Sequence, residues 1–262
     1  MKQFMLTIVC IHSIAMLYAQ PFWAPLGNDV GAGVYSQHFQ DVFTASQNPA
    51  GLSCLRGLTA GIYGERRFML QEAPFYMAMA AVPVGAGAFS AGVTRFGSSA
   101  YYQQKISGAY GRSAGRKIGV GAQFNYESVV LPGYGSTTAF SFDAGLLWHV
   151  SKKLHTGLHV YRSQGMPLIY SAGAGFEASP DFLLTTEAVK EGDGTAFVKA
   201  ATCYRIAPQL ALLLGMATRP PYNNAGVYFL IHALRIGVSV SIHPQLGITP
   251  STTIIWQQAP AE

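Results

Sequence analysis

Histidine and carboxylate side chains are concentrated in the middle of the chain. His149, His155 and His159 fall near one predicted hairpin, and Glu127 and Asp143 lie on neighbouring predicted strands. Imidazoles and carboxylates ligate metal ions and act as general bases. However, His155 and His159 are four residues apart on one predicted strand, which separates them by about 13 Å. One ion cannot bind both, so we predict a polar network here and no metal site.

Motifs for nucleophilic catalysis or phosphate binding do not occur elsewhere in a suitable context. Residues 111–115 have the Gly-x-Ser-x-Gly spacing, but they fall at a predicted short turn between two strands and not at the strand-to-helix elbow that presents a serine nucleophile. Glycines recur between residues 108 and 121, but no Lys-Ser or Lys-Thr follows them, as a phosphate-binding loop requires. We therefore predict that the protein is not an enzyme, has no catalytic residues, and binds no cofactor or nucleic acid.

Hydrophobic residues alternate with small or polar ones over most of the chain, which is the period of a β-strand. The alternation predicts two faces. The outward, apolar face includes Phe124, Phe140, Phe142, Leu146, Leu158, Val238 and Val240. The inward, polar face includes Gln123, Asn125, Asp143, Thr185 and Lys199.

The composition favours a membrane for the apolar face. Only 11% of the residues are charged, whereas soluble domains have about 25%. Strands of about ten residues can cross a bilayer at a tilt. The turns divide the chain into about fourteen strands, an even number as in bacterial barrels, with longer outer connections such as 129–136 and 218–224. Because hydrocarbon does not tolerate unpaired sheet edges, the first strand should pair with the last. We predict an all-β fold, a transmembrane antiparallel β-barrel in the bacterial outer membrane.

The N-terminal part of the chain differs from the rest. Lys2, an apolar stretch from Phe4 to Leu17, and Ala19 form the pattern of a cleaved secretory signal. Residues 31–55 lack strand alternation and are rich in Ser, Gln, Asn and Gly. Such a polar segment can fold into a barrel lumen as a hatch, and a flexible periplasmic lead-in is the alternative. We expect a signal peptide at 1–19, a hatch at 20–56 and a barrel at 57–262.

The centre of the predicted hatch carries a family resemblance. Its motif is Asn48-Pro49-Ala50-Gly51-Leu52, in which Pro49 fixes φ and biases Asn48 away from helical geometry. Just before a first strand, this motif resembles the hatch of FadL-type outer-membrane transporters and of the related PorV/PorQ-type barrels linked to type IX secretion. The stretch 243–247 also resembles the closing hairpin of PorV/PorQ-type chains.

The resemblance implies two related functions, and a third function is the alternative. A FadL/PorV-like barrel would pass small apolar solutes or act as an accessory component of a secretion system. The alternative is a structural or scaffolding barrel that transports nothing and binds a protein partner. A transporter should have a continuous apolar pocket between hatch and wall, whereas a scaffold should have a fully packed lumen.

The expected partners follow from the predicted location. They are outer-membrane lipid and lipopolysaccharide, with a secretion-system protein or a hydrophobic small molecule as further candidates. Arg66 and Arg67, in the first outer loop, are placed to meet lipopolysaccharide or solvent. Cys54 ends the hatch and Cys203 shares the inward face, so an oxidising periplasm permits a disulfide between them. Two separate buried thiols are the favoured interpretation.

Overall fold

Fourteen antiparallel strands form one closed β-barrel in the computed structural model, which describes residues 24–26 and 31–258. In chain order the strands are β1 (Thr59–Arg66), β2 (Pro74–Val84), β3 (Gly87–Gly97), β4 (Tyr102–Ala114), β5 (Ile118–Leu131), β6 (Gly135–His149), β7 (Leu154–Ser163), β8 (Ile169–Ser179), β9 (Phe182–Glu191), β10 (Phe197–Ala207), β11 (Leu210–Thr218), β12 (Pro221–Ile231), β13 (Leu234–His243) and β14 (Gly247–Gln257). Each strand pairs with its neighbours in the chain, and β1 pairs with β14 from Thr59 opposite Gln257 to Glu65 opposite Ser251. The predicted strand number and closure are confirmed.

Several strands are longer than the sequence pattern predicts. β5 has 14 residues and β6 has 15, so that only 132–134 remain of the predicted loop 129–136. β12 likewise begins at Pro221, inside the predicted loop 218–224. The prediction of long loops is wrong here because Pro and Gly mark the turn, while the hydrogen-bonded ladder continues on both sides of it. We call the end where β1 begins and β14 ends the terminal end, and the opposite end the far end.

The outer wall is apolar, as the alternation predicts. Phe124, Phe140, Phe142, Leu146, Leu158 and Val238 are exposed, and Val240 on the same face is partly exposed. An apolar wall of this kind is characteristic of a transmembrane barrel, whose lipid-facing residues alternate with lumen-facing ones. No helix in the described part of the chain is long and apolar enough to cross a membrane.

The lumen holds the segment before β1. This segment contains a 3₁₀ helix (Ala32–Tyr35), a short α-helix α1 (Thr44–Gln47) and a second 3₁₀ helix (Pro49–Cys54). A third 3₁₀ helix (Arg67–Met69) follows β1 at the far end. The main hydrophobic core joins the segment to the inner wall of β1 to β4. It includes Val42, Phe43, Leu52 and Leu55 from the segment, with Tyr63, Phe75, Met77, Met79, Ala88 and Ala109 from the wall. The predicted signal peptide lies outside the described residues.

Candidate functional site

Inward-facing glycines on β4 to β8 receive the lumenal segment, which we call the hatch (residues 31–55). A Cβ built on Gly145 would lie 2.8 Å from Cγ of Asn48 and would overlap its side-chain oxygen. A Cβ on Gly121 would lie 2.5 Å from the backbone nitrogen of Ala50. Gly111, Gly119, Gly157, Gly173 and Gly175 are covered by the hatch in the same way. The glycine-rich pattern of these strands therefore provides the space that the hatch backbone occupies.

The motif at residues 48–52 is a capped helical turn docked on the wall. Oδ1 of Asn48 accepts a hydrogen bond from the Ala50 N–H at 3.0 Å, and Nδ2 donates to the Leu158 carbonyl oxygen at 3.0 Å. Pro49 is the first residue of the second 3₁₀ helix. An N–H at this position would have no acceptor within the helix, so proline costs no hydrogen bond there. All five residues of the motif are buried. Asn48 thus caps its own helix and also ties it to β7.

Two carboxylates on β8 and β9 bind the start of the hatch. Glu177 accepts hydrogen bonds from Oγ of Ser36 and from the Gln37 N–H, and lies 2.6 Å from Nδ1 of His38. The Tyr35 hydroxyl donates to Glu187 at 2.8 Å. Burial, together with the Glu187 carboxylate, raises the pKa of Tyr35 well above its usual value, so the phenol remains a donor.

An ion pair and a set of hydrogen bonds tie the chain to the wall at two further places. Asp41 of the hatch pairs with Arg235 on β13. Near the far end, the Leu26 N–H lies 3.2 Å from Glu65, and Nη2 of Arg67 donates to the Ala24 carbonyl oxygen at 2.6 Å. Residues of the predicted 20–56 region therefore contact the wall both at Arg235 and near the far end of the lumen.

The position of Arg67 differs from the prediction that both arginines of the first loop face outward. Its side chain is buried, is 2.8 Å from Glu65, and lies over the rings of Phe75 and Phe96. Arg66 is exposed. The prediction is wrong for Arg67 because residue 67 keeps the inward parity of Tyr63 and Glu65, so that its side chain lies against the Glu65 carboxylate inside the barrel.

Three of the five residues predicted on the polar inner face meet in one buried network. Nε2 of Gln123 donates to Asn125 at 2.9 Å, and Nδ2 of Asn125 donates to Asp143 at 2.7 Å. His159 lies 2.9 Å from the other oxygen of Asp143. Closer to the far end, Glu127 accepts hydrogen bonds from the hydroxyl groups of Ser141, Tyr161 and Ser163.

Thr185 and Lys199 lie apart from this network, across the lumen on β9 and β10. Oγ1 of Thr185 donates to the Ala201 carbonyl oxygen at 3.3 Å, and Nζ of Lys199 is 3.6 Å from Glu187. Both side chains border a cavity described below.

Two of the three histidines meet in a way that the sequence argument missed. His149 and His155 are register partners across the β6–β7 turn, and their Nδ1 atoms are 2.9 Å apart. Nε2 of His149 is 3.3 Å from Sγ of Cys54. The signal was available, because residues that flank a tight turn face each other, but it depends on the turn length. Within the described ranges, no cluster of three or more His, Cys, Asp or Glu residues is arranged to hold a metal ion.

The hatch packs less tightly against β9 to β12 than against the glycine-bearing strands. A cavity of about 40 Å³ lies beside Tyr35, Thr185, Glu187 and Lys199. A second cavity of about 40 Å³ is lined by Phe39, Leu183, Cys203, Leu213, Tyr228 and Arg235, among others. Both cavities border Ala32 and therefore lie along the same side of the hatch. We call this side the β9–β12 crevice.

Cys54 and Cys203, the cysteines within the described residues, lie in different clusters. Cys203 is buried in the apolar cluster of the crevice, beside Phe39, Leu183 and Leu213. Cys54 lies against His149 at the terminal end. Both thiols are free, as the favoured interpretation of the sequence expects, but Cys54 is partly exposed, so the expectation of a buried thiol is wrong for Cys54.

Solved structures of similar architecture include proteins named as hydrocarbon channels and transporters. The toluene transporter TbuX of Ralstonia pickettii superposes with a TM-score of 0.62 at 11% identity, over 84% of this chain and 94% of that chain. A FadL homologue of Pseudomonas aeruginosa gives 0.61 at 12% identity, over 90% and 98%. The monoaromatic hydrocarbon channel CymD gives 0.60 at 11% identity, over 88% and 94%. At these identities the likeness establishes the fold. No protein-family model and no curated protein sequence matches the chain.

Proposed function

We propose that this chain is exported by the signal peptide at 1–19 and inserts into the bacterial outer membrane as a FadL-like channel for small apolar solutes. The hatch closes the lumen, and the solute passes along the β9–β12 crevice. The observation that carries the proposal is the asymmetry of the hatch, which is fixed to glycines on β4 to β8 but borders cavities on β9 to β12.

The lining of the crevice supports an apolar solute. Phe39 from the hatch packs against Leu183, Leu213 and Tyr228 from the wall. An apolar surface with a few polar groups is the usual composition of a small-molecule site. The barrels of the same fold include, by name, a toluene transporter and a monoaromatic hydrocarbon channel.

The size of the cavities requires the hatch to move. A space of about 40 Å³ accommodates water but not an aromatic ring, since a single water needs about 10–15 Å³ on this scale. Phe39 lines the second cavity, and the neighbouring Ser36 to His38 are bound to Glu177. We propose that displacement of Phe39 widens the crevice while the β4–β8 side stays docked.

Uptake by cells tests this function. The chain is expressed in a Gram-negative host that lacks its own hydrocarbon channels, and the initial uptake of radiolabelled toluene is measured. Ala211, which lines the second cavity, is replaced by Phe to narrow the crevice. The matched control is Ala225→Phe, on the exposed outer wall of the adjacent strand β12.

The expected result is uptake above the empty-vector level for the unmodified chain and for Ala225→Phe, with loss of that uptake in Ala211→Phe. Heat-modifiable migration on gels verifies that all three proteins are folded. Uptake by the unmodified chain at the empty-vector level contradicts the transport proposal. Equal uptake by both variants contradicts the crevice as the route.

A scaffolding barrel that binds a protein partner, for example a secretion-system component, is the second candidate. The small size of the cavities favours it, because a scaffold needs no open lumen. At the far end, the side chains of Tyr134 and Leu246 are 90% and 55% exposed at the tips of two hairpins, where a partner could contact them. A photoreactive residue at position 134 that gives one discrete crosslinked product, together with absent toluene uptake, would favour this function over transport.

A further inference from the structure

Cys54 is the first member of a row of polar side chains at the terminal end of the barrel. Its Sγ is 3.3 Å from Nε2 of His149, whose Nδ1 is 2.9 Å from Nδ1 of His155. Nε2 of His155 is 3.6 Å from Oε2 of Glu177, which is an electrostatic contact longer than a hydrogen bond. The four side chains come from the hatch, β6, β7 and β8, and none of them belongs to the β9–β12 crevice.

The tautomers along this row are mutually consistent. If Nε2 of His149 accepts from the thiol, Nδ1 of His149 carries a proton and donates to Nδ1 of His155. The remaining proton of His155 is then on Nε2, which faces the Glu177 carboxylate. A proton that moves from Sγ to His149 is therefore stabilised by a buried carboxylate two rings away. This is the arrangement in which a histidine activates a nucleophilic thiol and a further group orients the histidine.

Cys54 and Cys203 differ in solvent exposure. Cys54 is partly exposed, whereas Cys203 is buried among apolar side chains. Reactive thiols occupy partly exposed, electropositive places, and buried structural thiols are inert. The turns beside the Cys54 cluster carry exposed positive charges at Arg116, Lys117, Lys152 and Lys153.

An unpartnered polar atom belongs to a side chain that contacts the thiol. Oε1 of Gln40 is buried and, among the described residues, has no hydrogen-bond partner, while its Nε2 donates to the Ser36 carbonyl oxygen at 2.8 Å. The Gln40 side chain also reaches the Cys54 thiol. A buried amide oxygen without a partner costs free energy, and an N–H donor on a bound molecule would satisfy it.

We propose that Cys54 is a modification site that undergoes thiol–disulfide exchange with small disulfides that bear carboxylates and N–H groups. His149 takes the thiol proton, and Sγ of Cys54 attacks one sulfur of the disulfide. A new S–S bond forms to Cys54 as the old S–S bond breaks. The departing thiolate takes the proton back from His149 and leaves as a thiol, so the small disulfide is the oxidant and is itself half reduced. His155 and Glu177 are positioning residues.

The electrostatic surroundings agree with this geometry. Burial alone would raise the pKa of Cys54, but the hydrogen bond with His149, together with Ser53, the charge of His149 and Gln40, lowers it. The titratable group in direct contact with the thiol is His149. His155, Glu177 and His38 follow it in the same row of side chains. More of the thiol is therefore ionised at neutral pH than for an ordinary cysteine, whose pKa is about 8.5.

The test uses the folded barrel in detergent and oxidised glutathione as the probe. The rate of adduct formation on the tryptic peptide that contains Cys54 is followed by mass spectrometry between pH 5.5 and 9. The variants are His149→Gln, which keeps a polar side chain but no base, and His159→Gln as a matched control. His159 is on the same strand as His155 but contacts Asp143.

We expect Cys54 to react faster than Cys203, and its rate to level off at a lower pH than that of an ordinary thiol. His149→Gln should slow the reaction at pH 7 by at least about threefold, because the loss of thiolate outweighs the gain in nucleophilicity, and should move the profile to higher pH. His159→Gln should change neither. Cystamine, which is a cation, should react more slowly than oxidised glutathione at low salt.

Two results overturn the proposal without reference to any variant. One is the absence of a Cys54 adduct on the folded protein when the urea-unfolded chain forms it. The other is a pH profile of the Cys54 reaction rate, in the unmodified barrel, that levels off at the same pH as an ordinary thiol or at a higher pH. An unchanged rate in folded His149→Gln overturns the role of His149, and equal rates with cystamine overturn the preference for carboxylates. Toluene uptake does not enter any of these measurements.

Discussion

Asn48 of the hatch and Gly145 of β6 occupy complementary positions, because a Cβ on residue 145 would overlap the Asn48 side-chain oxygen. The same asparagine caps the second 3₁₀ helix and donates to the Leu158 carbonyl oxygen on β7. One hatch residue therefore requires a glycine on one strand and a free carbonyl oxygen on the next. This contact is the most direct link between the Asn48–Leu52 motif and the barrel.

Replacing Gly145 with Ala should destabilise the docked hatch. The new methyl group cannot fit beside Asn48, and overpacking of this kind costs about 1–3 kcal/mol. The matched control is Gly108→Ala on the outer wall of β4, where no heavy atom lies within 4 Å of the new Cβ. Reversible urea unfolding in detergent measures both. Equal midpoints for the two variants would show that the hatch is not held at this point.

The outward position of Phe142 predicts a cost for a charge at that site. Phe142→Arg should lower the free energy of unfolding by about 2–4 kcal/mol if the residue lies near the bilayer midplane. Thr138→Arg, on the same face of β6 but closer to the far end, should cost about 0–1 kcal/mol. Folding titrations in lipid vesicles provide the comparison, and a larger loss for Thr138→Arg would contradict the membrane placement.

Ser141→Arg is not a suitable control for Phe142→Arg. It would be mild only if the lumen beside Ser141 were open. Its side chain is buried and donates to Glu127 at 2.6 Å, so an arginine there would need space that the network fills. The alternation predicts the direction of Ser141, but the density of the lumen depends on which residues pack against it.

Removing the Asp41 charge should weaken the hatch on the β13 side. Asp41→Asn leaves Arg235 without its ion partner, and 21% of the Arg235 side chain is exposed. The expected cost is at the lower end of the about 3–5 kcal/mol for breaking a buried pair. The double variant Asp41→Asn/Arg235→Gln should recover part of it. Unfolding free energies of all four proteins in a double-mutant cycle measure the coupling, and additive effects would contradict a direct interaction.

The barrel could be predicted from the sequence because each of its rules is local. Period-two alternation identifies Phe124 and Phe142 as outward and Asn125 and Asp143 as inward, and closure follows from the cost of free edges in hydrocarbon. The ends of the strands are harder to predict from the sequence. Pro132 and Gly133 mark the position of a turn, but they do not show how far the hydrogen-bonded ladder extends toward it.

The contacts of the hatch could not be predicted in this way. They join residues that are distant in the sequence, such as Tyr35 with Glu187 and Cys54 with His149. Their register is determined by the packing of a non-repetitive segment against fourteen strands. The inward glycines were visible in the sequence, but only the fold explains that several of them face one plug.

The central claim is that the hatch closes the lumen, and deletion of residues 31–53 tests it. The strands carry the hydrogen-bond ladder from β1 to β14, so closure of the barrel does not depend on the hatch. The deleted form should therefore assemble, with the apolar side chains that faced the hatch now bordering water. Heat-modifiable migration and vesicle insertion verify assembly before any channel recording.

Single-channel conductance in planar bilayers is then compared between the intact and the deleted protein under the same salt. We predict that the intact protein is closed for most of the recording, and that the deleted form shows stable openings of much larger conductance. An assembled deleted barrel that conducts no more than the intact protein would contradict the claim, because the wall side chains alone would then close the lumen.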